Sequence, residues 1–234
     1  MTAIASGGFK GFSPQALAFL HKLSQNNQRD WFHAHKAEYE QLVLEPALDF
    51  ISAMEAPLAK ISPRFLCVPK RMGGSLLRIY RDTRFAHDKR PYKTNIGIHF
   101  RHDAFRDIHG PGLYFHVGLD ECFVGGGIWH PEPAALARIR QHLLDQPRPW
   151  TAAKRVETRL PGATLLGVSL QRVPRGFPPD HPLAQDLKRK DFVLARPFDE
   201  GLLYSPDLLE FVTETYQAMQ PFMKFLCASQ GARF

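Results

Sequence analysis

The apolar residues of this chain change their period twice, and that change restricts the folds open to it. Up to about residue 63 they recur at helical spacing. Ala16, Leu17, Leu20 and Leu23 form one stripe, Trp31, Phe32, His35, Tyr39, Leu42 and Val43 a second, and Ala47, Ile51, Met54, Leu58 and Ile61 a third. Ser13-Pro14 offers a side-chain acceptor for the free N–H groups of a helix start and a proline where no N–H is needed, so a helix is predicted over 14–25. Asn27 is expected to cap the second helix, and Pro46 to kink or restart the chain before the third stripe. From residue 65 the period becomes two. Extended segments are predicted at 65–68, 75–81, 95–101, 113–119 and 121–125, separated by Gly, Pro and Asp. Helical spacing returns after Pro131 and Pro133 with Leu136, Ile139 and Leu143, and again around 150–159. A short helix near 182–189, a strand near 191–197 and a long helix from Pro206 to about Ala228, kinked at Pro221, are expected to follow. Helices at both ends of a run of short strands predict one α+β domain over residues 1–234, with a mainly antiparallel sheet of about five to six strands.

Alternation within each strand separates a core side from an open side. Segment 95–101 turns Ile96, Ile98 and Phe100 one way and Asn95, Gly97, His99 and Arg101 the other. Segment 113–119 turns Leu113, Phe115, Val117 and Leu119 inward and leaves Tyr114, His116 and Gly118 outward. Taking Leu77 and Ile79 as core puts Arg78 and Tyr80 on the opposite side. If these strands are neighbours, Arg78, Tyr80, His99, Tyr114 and His116 converge on one open surface.

Composition excludes several classes. With 44% hydrophobic and 23% charged residues the chain can bury a core and does not have the make-up of a disordered protein. No run approaches the roughly 18 apolar residues of a membrane span, and the start, MTAIASGGFKGFS, has no basic region followed by an apolar one. A soluble, cytoplasmic protein without membrane contact is expected. Cys67, Cys122 and Cys227 are odd in number and far apart, so they read as small buried residues in a reducing compartment.

The charge is local. Of a net +7, residues 70–93 supply +6: Lys70, Arg71, Arg78, Arg81, Arg84, Lys89, Arg90 and Lys93 against Asp82 and Asp88. Arginine predominates in this block, and its planar fork suits phosphate and carboxylate. Leu76, Leu77, Ile79, Tyr80, Phe85 and Tyr92 are interleaved with the charges, unlike a merely solvated loop.

Other motifs are weak. There is no HExxH and no Cys/His quartet; His33 and His35 point apart on a helix, and His99 and His102 straddle a strand end, so no metal site is expected and no cofactor is specified. Gly125-Gly126-Gly127 is neither GxGxxG nor a P-loop and reads as a bulge or a close backbone approach after a strand. Asp180-His181-Pro182, ahead of Lys188, Arg189 and Lys190, opens a helix or forms a second functional edge.

Four stretches carry a resemblance. They are Asn26-Asn27-Gln28-Arg29-Asp30-Trp31-Phe32; Arg78-Ile79-Tyr80-Arg81-Asp82-Thr83-Arg84-Phe85 running into Asp88-Lys89-Arg90-Pro91-Tyr92-Lys93-Thr94; Gly112-Leu113-Tyr114-Phe115-His116; and Val124-Gly125-Gly126-Gly127-Ile128-Trp129. In this order the chain resembles the widespread bacterial family of domain of unknown function 2461, over nearly its whole length. Asp180, His181 and Lys190 resemble the family's C-terminal pattern more loosely, and His87 and Arg90 fill positions expected to vary. The resemblance implies one domain and assigns no catalytic residue.

Three functional readings follow from the residues. In the first, a small anionic ligand bearing phosphate or carboxylate sits on Arg78, Arg81, Arg84, Lys89 and Lys93. Tyr80 and Tyr114 are then its walls, His116 or His99 its proton carrier, and Asp82 orients a base or an arginine. In the second, the same basic and aromatic stripe binds RNA or single-stranded DNA. In the third, the Arg/Asp block is an internal ion-pair network of a structural or partner-binding protein.

Overall fold

The computed structural model describes residues 9–234, so the first eight residues of the segment read above as lacking a leader lie outside it. Ser13 caps α1 (Pro14–Gln25), its Oγ accepting from the Gln15 N–H at 3.3 Å. Helices α2 (Arg29–Ala34) and α3 (Lys36–Tyr39) and a π-helical turn at Glu40–Leu44 lead into α4 (Glu45–Ile61), which buries Ala47, Phe50, Ile51, Met54 and Leu58. Asn27 does not cap α2; Gln28 occupies that position with no side-chain bond. The Asn27 amide instead grips one distant peptide, donating from Nδ2 to Tyr92 O and accepting from Tyr92 N–H on Oδ1, each at 3.0 Å. Two bonds to backbone groups that lack another partner among the described residues outweigh one cap bond.

Three strands follow, β1 (Asn95–Arg101), β2 (Gly112–Gly118) and β3 (Cys122–Ile128), then helices α5 (Pro133–Asp145), α6 (Pro147–Lys154) and α7 (Val156–Arg159). The chain continues through β4 (Thr164–Leu166), α8 (Ala184–Leu187), β5 (Phe192–Pro197), α9 (Glu200–Leu203), α10 (Leu208–Ala218) and α11 (Gln220–Ser229). The fold is α+β: an open five-stranded sheet in the order β1-β2-β3-β5-β4, every pair antiparallel. The expected long terminal helix breaks at Met219, and Pro221 takes the first turn of α11, where a missing N–H costs nothing.

One face of the sheet is core. Ile96, Ile98, Phe100, Leu113, Phe115 and Val117 are buried, as alternation predicts, and so is Val124. Phe50 of α4 stacks on Phe115 at 4.6 Å, and Tyr216 of α10 meets Phe100 edge-on at 6.1 Å. Leu119 was expected inward, but β2 ends at Gly118 and Leu119 is exposed.

The segments 65–68 and 75–81 are not strands. They make isolated bridges, Phe65 to His102 and Leu76 to Ile98 at the outer edge of β1 and Tyr80 to Tyr92 before it. Ser75 is the cause. Its buried Oγ donates to Leu66 O and accepts from Val68 N–H, closing a local loop where a ladder would otherwise continue. The loop also shifts the phase: Leu76 is buried on the core side, whereas Leu77 Cδ1 lies over Gly97 on the open side. The three glycines do not follow a strand but complete one, pairing with Ala195, Leu194 and Val193. Among the described residues no helix is long and apolar enough to cross a membrane.

Asn27→Ala strips both bonds from the Tyr92 peptide, so a stability loss of about 2 kcal/mol is expected. At this chain length that lowers Tm by about 4–8 °C. An unchanged melting curve would show that the bonds carry no net stabilisation.

Candidate functional site

The open face of the sheet is hollowed by its glycines. Gly112 pairs with Gly127 and Tyr114 with Gly125, so β3 presents no side chain in front of two rows of β2. Over this floor lies a cleft of about 430 Å³, walled by Phe123, Trp129, Leu166, Val193 and Ile108, with His99, Tyr114, His116 and Glu121 supplying its polar atoms. That volume suits a small organic ligand.

Each polar ring rests on a glycine. A Cβ on Gly112 would overlap the His99 imidazole, one on Gly97 would come within 2.6 Å of the Tyr114 hydroxyl, and one on Gly118 within 2.9 Å of His116 Nε2. His116 also stacks on Phe123 at 4.7 Å, and the Tyr114 hydroxyl lies 3.3 Å from its Nδ1.

Burial sets the protonation of these groups. It pushes His99 down to about 4, helped by the Arg101 charge and opposed by Asp107. It lowers His116 as well, against Glu121, and raises the Tyr114 phenol to about 12 with Glu121 adding to the rise. At neutral pH both imidazoles are therefore uncharged and Tyr114 keeps its proton. Glu121 is the one acidic side chain of the lining. The ring nitrogens of His99 have no hydrogen-bond partner among the described residues. With so low a basicity at neutral pH, His99 is suited to accepting a hydrogen bond rather than carrying a proton.

The basic block forms a hairpin elsewhere. Arg81 N–H donates to Pro91 O and Lys93 N–H to Ile79 O, and Tyr80 and Tyr92 face one another between them. Tyr80 packs 6.2 Å from Phe32 and 5.4 Å from Tyr92, on the side of α2. With Asn27 holding the Tyr92 peptide, the hairpin docks on the N-terminal helices. The expected convergence is therefore split: His99, Tyr114 and His116 share the cleft, while Arg78, Tyr80, Arg81, Arg84, Lys89 and Lys93 are not in its lining.

Within the hairpin three of the six cations, Arg81, Arg84 and Arg90, pair with its two aspartates. Arg84 holds Asp82 with Nε at 3.0 Å and Nη2 at 2.7 Å, and these bonds keep the carboxyl down to about 2. Asp88 receives Arg90 Nη2 and Arg81 Nη1, each at 2.7 Å, and lies well below the usual carboxylate range, chiefly through Arg90. Lys89 Nζ donates to Thr83 O at 3.0 Å, and Arg71 pairs with Glu40 and Glu45. Arg78 and Lys93 have no such partner among the described residues. Lys93 is half-buried, and burial followed by the neighbouring Arg78 charge lowers its pKa.

Asp180-His181-Pro182 precedes α8, where His181 Nδ1 accepts from Leu183 N–H at 3.1 Å. His102 turns away from His99 and holds the C-terminal tail through Arg233 O at 2.6 Å. No group of three or more His, Cys, Asp or Glu among the described residues is placed to hold a metal ion. Sequence reasoning missed Glu121, Phe123, Trp129, Leu166, Val193 and Ile108. The available signal for Phe123 was its place two and four residues before Gly125 and Gly127, on the same side of the strand.

No curated protein and no solved structure matches the chain. A family model does, that of the conserved hypothetical protein family DUF2461, aligned over residues 15–225, and with its match covering most of the chain the protein belongs to that family.

Proposed function

We propose that the protein binds a small ligand in the open-face cleft. Its apolar or aromatic body lies against Phe123, Trp129 and Val193, and its phosphate or carboxylate is met at the β1 edge by Arg78 and Lys93. The observation that carries this reading is the glycine-floored cleft with the unpartnered, uncharged His99 facing it. Apolar walls with a few convergent polar atoms are what a ligand pocket needs. Support for the anionic end is that Arg78 and Lys93 have neither a carboxylate nor a carbonyl partner among the described residues, in a hairpin where Arg81, Arg84 and Arg90 pair with aspartates and Lys89 donates to a carbonyl. Arg78 directly follows Leu77, whose Cδ1 shares the space over Gly97 with the Tyr114 hydroxyl.

The test uses naphthyl phosphate, naphthol and inorganic phosphate in calorimetry and thermal shift. Naphthyl phosphate is expected to bind most tightly, with Arg78→Ala weakening it by about tenfold toward the naphthol value. Equal binding of phosphate ester and alcohol would remove the anionic half of the reading, and silence of both would remove the cleft. Nucleic-acid binding draws on the same hairpin, whose Phe85 is 95% exposed. It predicts oligonucleotide affinity that falls steeply with salt while Gly112→Ala leaves it unchanged.

A further inference from the structure

The lining of the cleft holds no cation. None of its residues is lysine or arginine, its two imidazoles are uncharged at neutral pH, and its one acidic side chain is Glu121. The turn between β2 and β3 fixes where that residue stands. Gly118 N–H donates to Glu121 O at 2.9 Å, and a Cβ on Gly118 would lie 2.9 Å from His116 Nε2 and 3.2 Å from Glu121 O. The His116 ring and the Glu121 backbone thus border the same glycine. Phe123 stacks on that ring at 4.7 Å, and Tyr114 lies 5.9 Å from each of the two.

The Glu121 carboxylate makes no ion pair and no hydrogen bond among the described residues. Its charge is felt inside the cleft, where it opposes the lowered basicity of His116 and adds to the rise of the Tyr114 phenol. Beside apolar walls a charge is screened less than in open water, so it draws the opposite charge, and aromatic rings favour a cation further through their negative faces. A phosphate or carboxylate in the cleft itself would meet only like charge. The ladder adds a constraint of position. Asn95 pairs with Gly118 and Gly97 with His116, while Leu77 N–H donates to Gly97 O. The turn that carries Glu121 and the hairpin that carries Arg78 and Lys93 therefore lie toward the same end of the sheet.

We propose that the cleft holds an ammonium group of its ligand at Glu121, beside Phe123 and Tyr114, which makes that ligand an aromatic zwitterion of the amino-acid type. The inference rests on the cleft reading above, with the aromatic body on Phe123, Trp129 and Val193 and the anionic end at Arg78 and Lys93. Ammonium and carboxylate borne on one carbon share one end of the cleft, and the ring extends along β3 toward Gly127 and Trp129.

Naphthylalanine and naphthylpropionate, which differ only in the ammonium group, are the probes, read by calorimetry at neutral pH. Native protein is expected to bind the amino acid about tenfold more tightly. Glu121→Gln removes the charge and keeps the shape, so it should weaken naphthylalanine and abolish the preference. Asp120→Asn removes an exposed neighbouring charge outside the lining and should retain it. Equal or weaker binding of the amino acid by native protein overturns this inference, as does a preference that survives Glu121→Gln or falls as far in Asp120→Asn; in each of these cases the cleft reading stands if naphthyl phosphate binds. Silence of both naphthyl acids toward a protein that binds naphthyl phosphate likewise overturns this inference alone. Silence of all three overturns both.

Discussion

Gly127→Ala is expected to cost the fold about 3 kcal/mol or more, lowering Tm by about 6–12 °C, whereas Gly112→Ala leaves Tm nearly unchanged and closes the cleft. The two glycines face each other across β2 and β3, yet a methyl group meets different obstacles. At Gly127 the backbone has φ +147, and the new Cβ would overlap the Phe192 carbonyl oxygen and approach Val193 Cα at 2.7 Å. Both belong to the neighbouring strand, so relief requires parting β3 from β5. At Gly112 the obstacle is the His99 imidazole, a side chain that can rotate away. The displaced ring no longer offers its nitrogens to the cleft, so a loss of naphthyl phosphate binding of about tenfold or more is expected while the melting curve stays in place. Equal Tm losses in the two variants would refute the distinction between a backbone and a side-chain obstacle.

Lowering the pH from 7 to 4 is expected to remove up to about 3 kcal/mol of stability through His99 alone. Its pKa in the folded protein is about 4, against 6.5 for an ordinary histidine. Above 6.5 neither state is protonated and the full stability is present. Between 6.5 and 4 the unfolded chain takes up a proton that the folded one refuses, so stability falls as pH falls, and below about 4 His99 contributes no further loss. His116 and His142, both lowered chiefly by burial, act in the same direction. The check is a set of urea melts across this range on native protein and His99→Gln. The variant should lose the steepest part of the dependence, and superimposable curves would show that His99 does not titrate with folding. Asp82 and Asp88 also have lowered pKa values, but they lie on the exposed hairpin and lose their ion pairs only as the solution becomes much more acid.

Much of the scaffold was legible because its signals are local. Ser13-Pro14 and the spacing of Ala16, Leu17, Leu20 and Leu23 specify α1 through contacts within a few residues, and β1 was predicted at its observed bounds from alternation alone. The open faces of β1 and β2 followed from the same alternation, and His99, Tyr114 and His116 do share a cleft. The failures fall where a side chain bonded backbone outside its expected element. Ser75 closed a loop and shifted the phase at Leu76 and Leu77, and Asn27 left a helix start for the Tyr92 peptide. The three-residue β4 is too short for alternation to show.

The period of the apolar residues therefore determined the α+β class and which sides of β1 and β2 are polar, since both depend only on the geometry of successive residues along one chain. The rest depended on which strands and loops meet. Glycines on paired strands open a cleft only when Gly112 stands beside Gly127. Arg81 and Arg90 share one carboxylate only because the hairpin brings both to Asp88. Asp191 meets His130 across 61 residues of chain. Partner choice is a competition among all donors and acceptors that folding brings within about 3 Å, and no spacing along the chain encodes its outcome.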